Sequence, residues 1–175
     1  MEKHVLLDIT VPGLDVVFVG SAVGPSSARQ GHYYAAPNNR FWLRLHQAGL
    51  TPEVLSYEDD LALPTLGIGL TDLNKTNSQA NDAGLDWDVK GFSERIAAAP
   101  PKWVIFNGIG VARNYAKALL MPEPTYGLQT WTVEASRTFV VPNSSGQNGG
   151  NRLLDEISTV DWWIMAGEHV AQTRS

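Results

Sequence analysis

Three groups of side chains in this 175-residue chain have the types and spacing to do chemistry. The first lies in residues 20–42, GSAVGPSSARQGHYYAAPNNRFW. Gly20 and Gly24 let the backbone turn and approach a ligand with no Cβ in the way. Ser26, Ser27 and Arg29 add hydrogen-bond donors, and Tyr33 and Tyr34 offer flat faces. Amides, hydroxyls, one guanidinium and stacking rings suit a planar heterocycle carried on a phosphate-bearing backbone. The G-x-x-x-G spacing alone also serves ordinary strand-to-helix turns. The second group is Asp72, the lone carboxylate of the otherwise apolar residues 66–73, LGIGLTDL. A charge in such a stretch needs a partner or a task; capping the turn at residues 74–76 is the plainer alternative. The third is Asn143-Ser144-Ser145-Gly146, where one amide can donate and accept along a ligand edge or bond its own backbone.

The elements that must position these groups follow from periodicity. Residues 15–19, 103–106, 130–133 and 138–141 read as strands, the first after the turn at Pro12-Gly13. Asn39 caps a helix with Phe41, Trp42, Leu45 and Ala48 inward, ending at Gly49. Thr51 and Pro52 open another short helix, and Glu58-Asp59-Asp60 reads as a solvated loop. Residues 79–90, rich in Asn, Asp and Gly, read as a mobile loop. A helix over 89–99 stops at Pro100-Pro101, another runs over 111–120, and the last begins within 152–157. The pattern predicts one α/β domain over residues 1–175, a three-layer α/β/α sandwich with a mainly parallel central sheet. Ligands of such sheets lie beyond the strands' carboxyl ends, so the loops after Val19, Phe106 and Val141 become neighbours.

Composition narrows the class. A formal charge of -5 excludes a sequence-blind coat on DNA, which depends on excess Lys and Arg. A protein that visits DNA briefly needs only a local basic strip, for which Arg29, Arg40, Arg44, Lys75 and Arg152 are available. The absence of cysteine removes disulfides and thiolate metal centres and fits a reducing cytoplasm. His4, His46 and His169 have neither the spacing nor the carboxylate company of a metal site, so no metal or other cofactor is expected. The first residues are too briefly apolar for a signal peptide, nothing reads as a membrane span, and a monomer is expected.

Read together, Ala35-Ala36-Pro37-Asn38-Asn39-Arg40-Phe41-Trp42 resembles the A-x-P-x-N-R-F-W segment of the mismatch-specific uracil-DNA glycosylases, the group that includes the thymine-DNA glycosylases. Gly20 to Gly24 stand where that family has G-I-N-P-G, and Asn143 to Gly146 where it has N-P-S-G. The resemblance spans about residues 12 to 154. It implies the uracil-DNA glycosylase fold and a monofunctional enzyme of base excision repair. Such an enzyme flips uracil from double- or single-stranded DNA, G:U mispairs included, and hydrolyses its N-glycosidic bond. It further implies that Gly20, Ser21, Ala22, Ser27, Tyr34, Asn39 and Asn143 bind the base. In that scheme backbone amides near Ser21 and Tyr34 meet its carbonyl oxygens, the Tyr34 ring stacks on it where the family commonly has Phe, and Asn143 bonds the pyrimidine edge. Ser27 is alternatively a helix-start hydroxyl. After Gly146, Gln147-Asn148-Gly149-Gly150 takes the place of the family's wedge that enters DNA, and Ser145, Gly146, Gln147, Asn148 and Arg152 are the implied DNA contacts. This wedge lacks the family's apolar tip, so its gap filling is expected to be weaker or more polar.

One departure matters most. Ala22 occupies the place of the family asparagine that helps to position the hydrolytic water. Asp72, at a site that faces the pocket in the family but is not its usual catalytic residue, is the inferred substitute. A carboxylate there can stabilise positive charge building on the sugar while orienting water against C1′. His32 can act as acid, base or phosphate contact, or have no task. No lysine is placed as a Schiff-base nucleophile, so no strand cleavage is expected. The rival from another class is a lesion-binding module that lost its chemistry with Ala22. A phosphate-cradling nucleotide enzyme lacks the Walker lysine.

Overall fold

Val16, Val17, Phe18 and Val19 are all wholly buried, as a strand covered on both faces must be. They belong to β1 (Val16–Gly20), joined in one sheet by β2 (Ile68–Asp72), β3 (Trp103–Asn107), β4 (Gly127–Val133) and β5 (Ser136–Val141). The order across the sheet is β2-β1-β3-β5-β4, with β1 parallel to β2 and β3, β3 parallel to β5, and β4 antiparallel at the edge. The structure, a computed structural model, describes residues 3–79, 81–146 and 151–174.

Alternate residues of a strand point to opposite faces, and β1 shows where each face goes. Val16 and Phe18 join the core made with α2 (Phe41–Gln47) and α5 (Thr159–Thr173). Val17 and Val19 join the core made with α3 (Val89–Ala98) and α4 (Ile109–Ala118). Right-handed crossovers account for the division. The connection from β1 to β2, carrying α1 (Pro25–Gln30) and α2, runs one way along the sheet; those from β2 to β3 and from β3 to β5 run the other way. The three-layer α/β/α sandwich expected from the sequence is the observed fold. At Gly167 of α5 a Cβ would overlap the carbonyl oxygen of Ala48, so the helices of that layer meet backbone against backbone.

Several local expectations are corrected. No helix forms at Thr51-Pro52-Glu53, because the Thr51 hydroxyl donates to the Glu53 carbonyl at 2.7 Å. The next helix is a 3-10 helix, Tyr57–Leu66, closed at its start by a reciprocal Ser56 and Asp59 capping box. Glu58-Asp59-Asp60 therefore forms a helical first turn, and Asp60 is buried. Residues 152–157 do not begin the last helix. Leu153–Leu154 (β6) and Ile157–Ser158 (β7) pair as a small hairpin, with Asp155 and Glu156 at φ 50° and 66°, the left-handed values that a two-residue turn requires. The last helix starts at Thr159, where Ser158 accepts the Asp161 N–H.

Candidate active site

A cavity of about 530 Å³ opens beyond the carboxyl ends of β1, β3 and β5. It lies at the point where connections from adjacent strands leave in opposite directions, the usual ligand position in an open α/β sheet. Asp72, Gly20, Ser21, Ala22, Ser27, Tyr34, Asn39, Asn143, Ser145, Gly146 and Arg152 all line it. Gln147, Asn148, Gly149 and Gly150 lie outside the described residues.

Asp72 ends β2 in register with Gly20 of β1, so their α-carbons are strand partners. The carboxylate is 3% exposed and its Oδ2 has no hydrogen-bond partner. Gly20 makes the space: a Cβ there would come within 2.5 Å of Asp72 Oδ1 and 3.3 Å of the Tyr34 hydroxyl. Burial pushes the Asp72 carboxyl up to about 6; the nearby Lys75 opposes this, Asp8 adds to it and Arg95 opposes it.

Those charges form a layer beneath the site. Lys75 Nζ lies 2.8 Å from Asp8 Oδ1 and donates to the Tyr33 hydroxyl at 2.8 Å. Arg95 donates to the Asp72 carbonyl oxygen at 2.9 Å, and its Nε lies 2.9 Å from Asp8 Oδ2 without its N–H aimed at that oxygen. Lys75 and Arg44 are 3% and 4% exposed, so neither belongs to a surface basic strip as the sequence suggested. Arg29, Arg40 and Arg152 are exposed.

The shelf over this floor is Tyr34. Its φ of 52° is unusual for a side chain of that size, and three contacts hold its segment in place. Trp42 Nε1 donates to the Tyr34 carbonyl at 3.2 Å, Ala35 N–H donates to Ser27 Oγ at 2.9 Å, and Tyr33 N–H donates to Asp60 Oδ2 at 3.0 Å. The Tyr34 ring stacks on Phe41 with centroids 3.9 Å apart. Its hydroxyl is buried with no aligned partner, although Asn107 is close enough to favour ionisation slightly. Burial and then Asp72 raise the phenol far above its ordinary range, so it stays protonated. Ser27 thus borders the cavity, but its hydroxyl accepts from the loop that carries Tyr34. His32 does not line the cavity; its Nδ1 lies 2.9 Å from Asp60 Oδ1.

Asn107, which the sequence reading passed over, and Ser144, named there only within the segment 143–146, tie the site's loops together. Asn107 Nδ2 donates to Ser144 Oγ at 2.9 Å, Ser144 N–H donates to Asn107 Oδ1 at 3.0 Å, and Ser144 Oγ donates to Asn39 Oδ1 at 2.9 Å. Asn39 Oδ1 also accepts the Phe41 N–H, close to the capping expected of it, although Arg40 occupies the N-cap. A buried polar residue closing an apolar run, the signal that singled out Asp72, was equally present at Asn107. Asn143 Oδ1 accepts the Ser145 N–H at 2.7 Å, the plainer of its two expected uses, while its side chain sits against Gly108, where a Cβ would come within 3.1 Å of Nδ2. The loop after β2 is a further wall: Gln79, Asn81 and Asp82 line the cavity, and Ser21 Oγ donates to Asp82 at 3.1 Å.

Among the described residues no cluster of His, Cys, Asp or Glu is arranged to hold a metal, and no helix is long and apolar enough to cross a membrane. The model of the uracil DNA glycosylase superfamily matches residues 7–163, which spans the whole sheet and every loop around the cavity; the chain belongs to this superfamily. The solution NMR structure of a candidate uracil DNA glycosylase from Methanosarcina acetivorans shares the fold with a TM-score of 0.65 and 24% identity. The match covers 95% of this chain and 96% of that one.

Proposed function

We propose that this protein is a monofunctional DNA glycosylase that removes uracil from DNA, G:U mispairs among its substrates, in the manner of the mismatch-specific members of its superfamily. It acts as a monomer and without a cofactor. The observation that carries this reading is the buried Asp72 carboxylate, one oxygen unpartnered, in the wall of the cavity that Tyr34 and Asn143 also line. A flipped base stacks on the outer face of Tyr34, and the Asn143 amide meets its edge. Backbone amides near Ser21 and Tyr34 meet the base carbonyls. As the C1′–N1 bond breaks, its electron pair leaves with the base. Asp72 faces the positive charge on the sugar and accepts a proton from the water that attacks C1′. Gly146 and Ser145 present the wedge, with Arg152 on the neighbouring phosphates.

Asp72→Asn removes the proton acceptor and keeps the shape. Single-turnover excision from a G:U duplex is expected to fall by roughly 10² to 10⁴, with binding retained. Excision by the wild-type chain should decline below about pH 6, as the raised carboxyl takes up a proton. Undiminished cleavage by Asp72→Asn would take that residue out of the mechanism. Ala22 favours a second reading, a lesion-binding module with no chemistry; a chain that shifts uracil-containing DNA and releases no base would be that protein.

A further inference from the structure

The cavity wall holds two buried polar atoms with no hydrogen bond of good geometry, Asp72 Oδ2 and the Tyr34 hydroxyl, the latter with the Asn107 side chain nearby but not aligned. Both belong to residues that border the same space beside Gly20, where a Cβ would meet Asp72 Oδ1 and the phenol oxygen together. Native interiors seldom leave such atoms unmatched, and two in one wall mark the place of something polar that binds both. Stacking explains the Tyr34 ring and leaves its hydroxyl unexplained, because a phenylalanine would stack equally well.

We infer that Tyr34 is a second water-holding residue of the reaction, its phenol oxygen and Asp72 Oδ2 gripping the attacking water between them. This rests on the assignment of Asp72 under the proposed function. The water donates one hydrogen to the carboxylate and the other to the phenol oxygen, which leaves a lone pair directed at C1′. When the O–C1′ bond forms, the C1′–N1 electron pair departs with the base and one water proton passes to Asp72. The phenol keeps its own hydrogen, which can turn toward Asn107. Tyr34 is no base here: burial holds it protonated. With alanine at position 22 unable to hold water, this second grip fixes a molecule that a carboxylate alone would leave free to swing.

Tyr34→Phe tests the inference while preserving the ring. Single-turnover excision should drop about 10- to 100-fold. Binding to a duplex carrying 2′-fluoro-2′-deoxyuridine, which resists cleavage, should stay within about twofold, and the melting temperature should not fall, since an unmatched buried hydroxyl has been removed. The double variant Asp72→Asn with Tyr34→Phe should be no slower than Asp72→Asn, because both residues serve one water. Excision near the wild-type rate in Tyr34→Phe, equal loss of binding and rate, or multiplying effects in the double variant would each overturn the inference. Excision abolished by Asp72→Asn but untouched by Tyr34→Phe overturns it alone. No excision by the wild-type chain removes the glycosylase reading, and this inference with it.

Discussion

Asp72 is held against its own preference for water, and that has a thermodynamic signature. Its carboxyl binds a proton more readily in the folded chain, near pH 6, than in an unfolded chain near 3.8. Between those values the folded state holds more protons, so stability falls as pH rises through the window, and the full penalty is present above pH 6. A shift of that size corresponds to something on the order of 3 kcal/mol. Asp72→Asn is therefore expected to stabilise the protein at pH 8 by a few kcal/mol at most and to give no gain at pH 4. Urea unfolding at both values measures the difference; equal effects at the two would mean that the carboxyl is not shifted. Loss of activity together with gain of stability is the pattern of a residue retained for chemistry.

At the scale of elements, the site depends on how Ser144 joins the ends of three strands. Its hydroxyl accepts from Asn107, at the end of β3, and donates to Asn39, in the β1-to-β2 connection between α1 and α2. Ser144→Ala leaves the Asn107 amide without that acceptor in a buried place and should cost about 1–3 kcal/mol. The same variant should slow excision without moving its acid limb, which a pH profile of single-turnover rates would check; a displaced limb would show that the clamp also sets the charge of Asp72. Strands β1 and β3 were readable, because they are buried on both faces and are apolar up to their last residue, whereas β5 was read only from Thr138 onward and β2, polar at Thr71 and Asp72, was not read as a strand. The 3-10 helix Tyr57–Leu66 was not, since its acidic first turn looks like surface until the buried Asp60 is seen accepting from Tyr33 N–H. Leu153, Leu154 and Ile157 mimicked a helical stripe, whereas the hairpin depends on left-handed backbone at Asp155 and Glu156, residues that do not advertise it. The polar tie from Asn107 through Ser144 to Asn39 joins positions far apart in sequence, and spacing along a chain carries no trace of such a bond.

For the molecule as a whole, electrostatics favours brief visits to DNA. The net charge is -5, and of the five cations that a basic strip would have used, Lys75 and Arg44 are buried. With Arg29, Arg40 and Arg152 as the remaining contacts, the logarithm of the affinity for duplex DNA should fall with log salt at a slope of about -2 to -3, near 0.9 per phosphate neutralised. A slope steeper than about -6 in a titration of 50 to 200 mM salt would point to a much broader footprint. What the protein lacks in attraction it offers in stiffness. Tyr34 rests on Phe41, Phe41 meets Trp163 edge-on, and beyond them Gly167 admits the carbonyl of Ala48 with no side chain between. A nucleobase pressed onto the ring therefore meets an anvil rather than a cushion. Little recoil is available to absorb a poorly shaped guest, so the cavity can reject by rigidity what its few charges do not select.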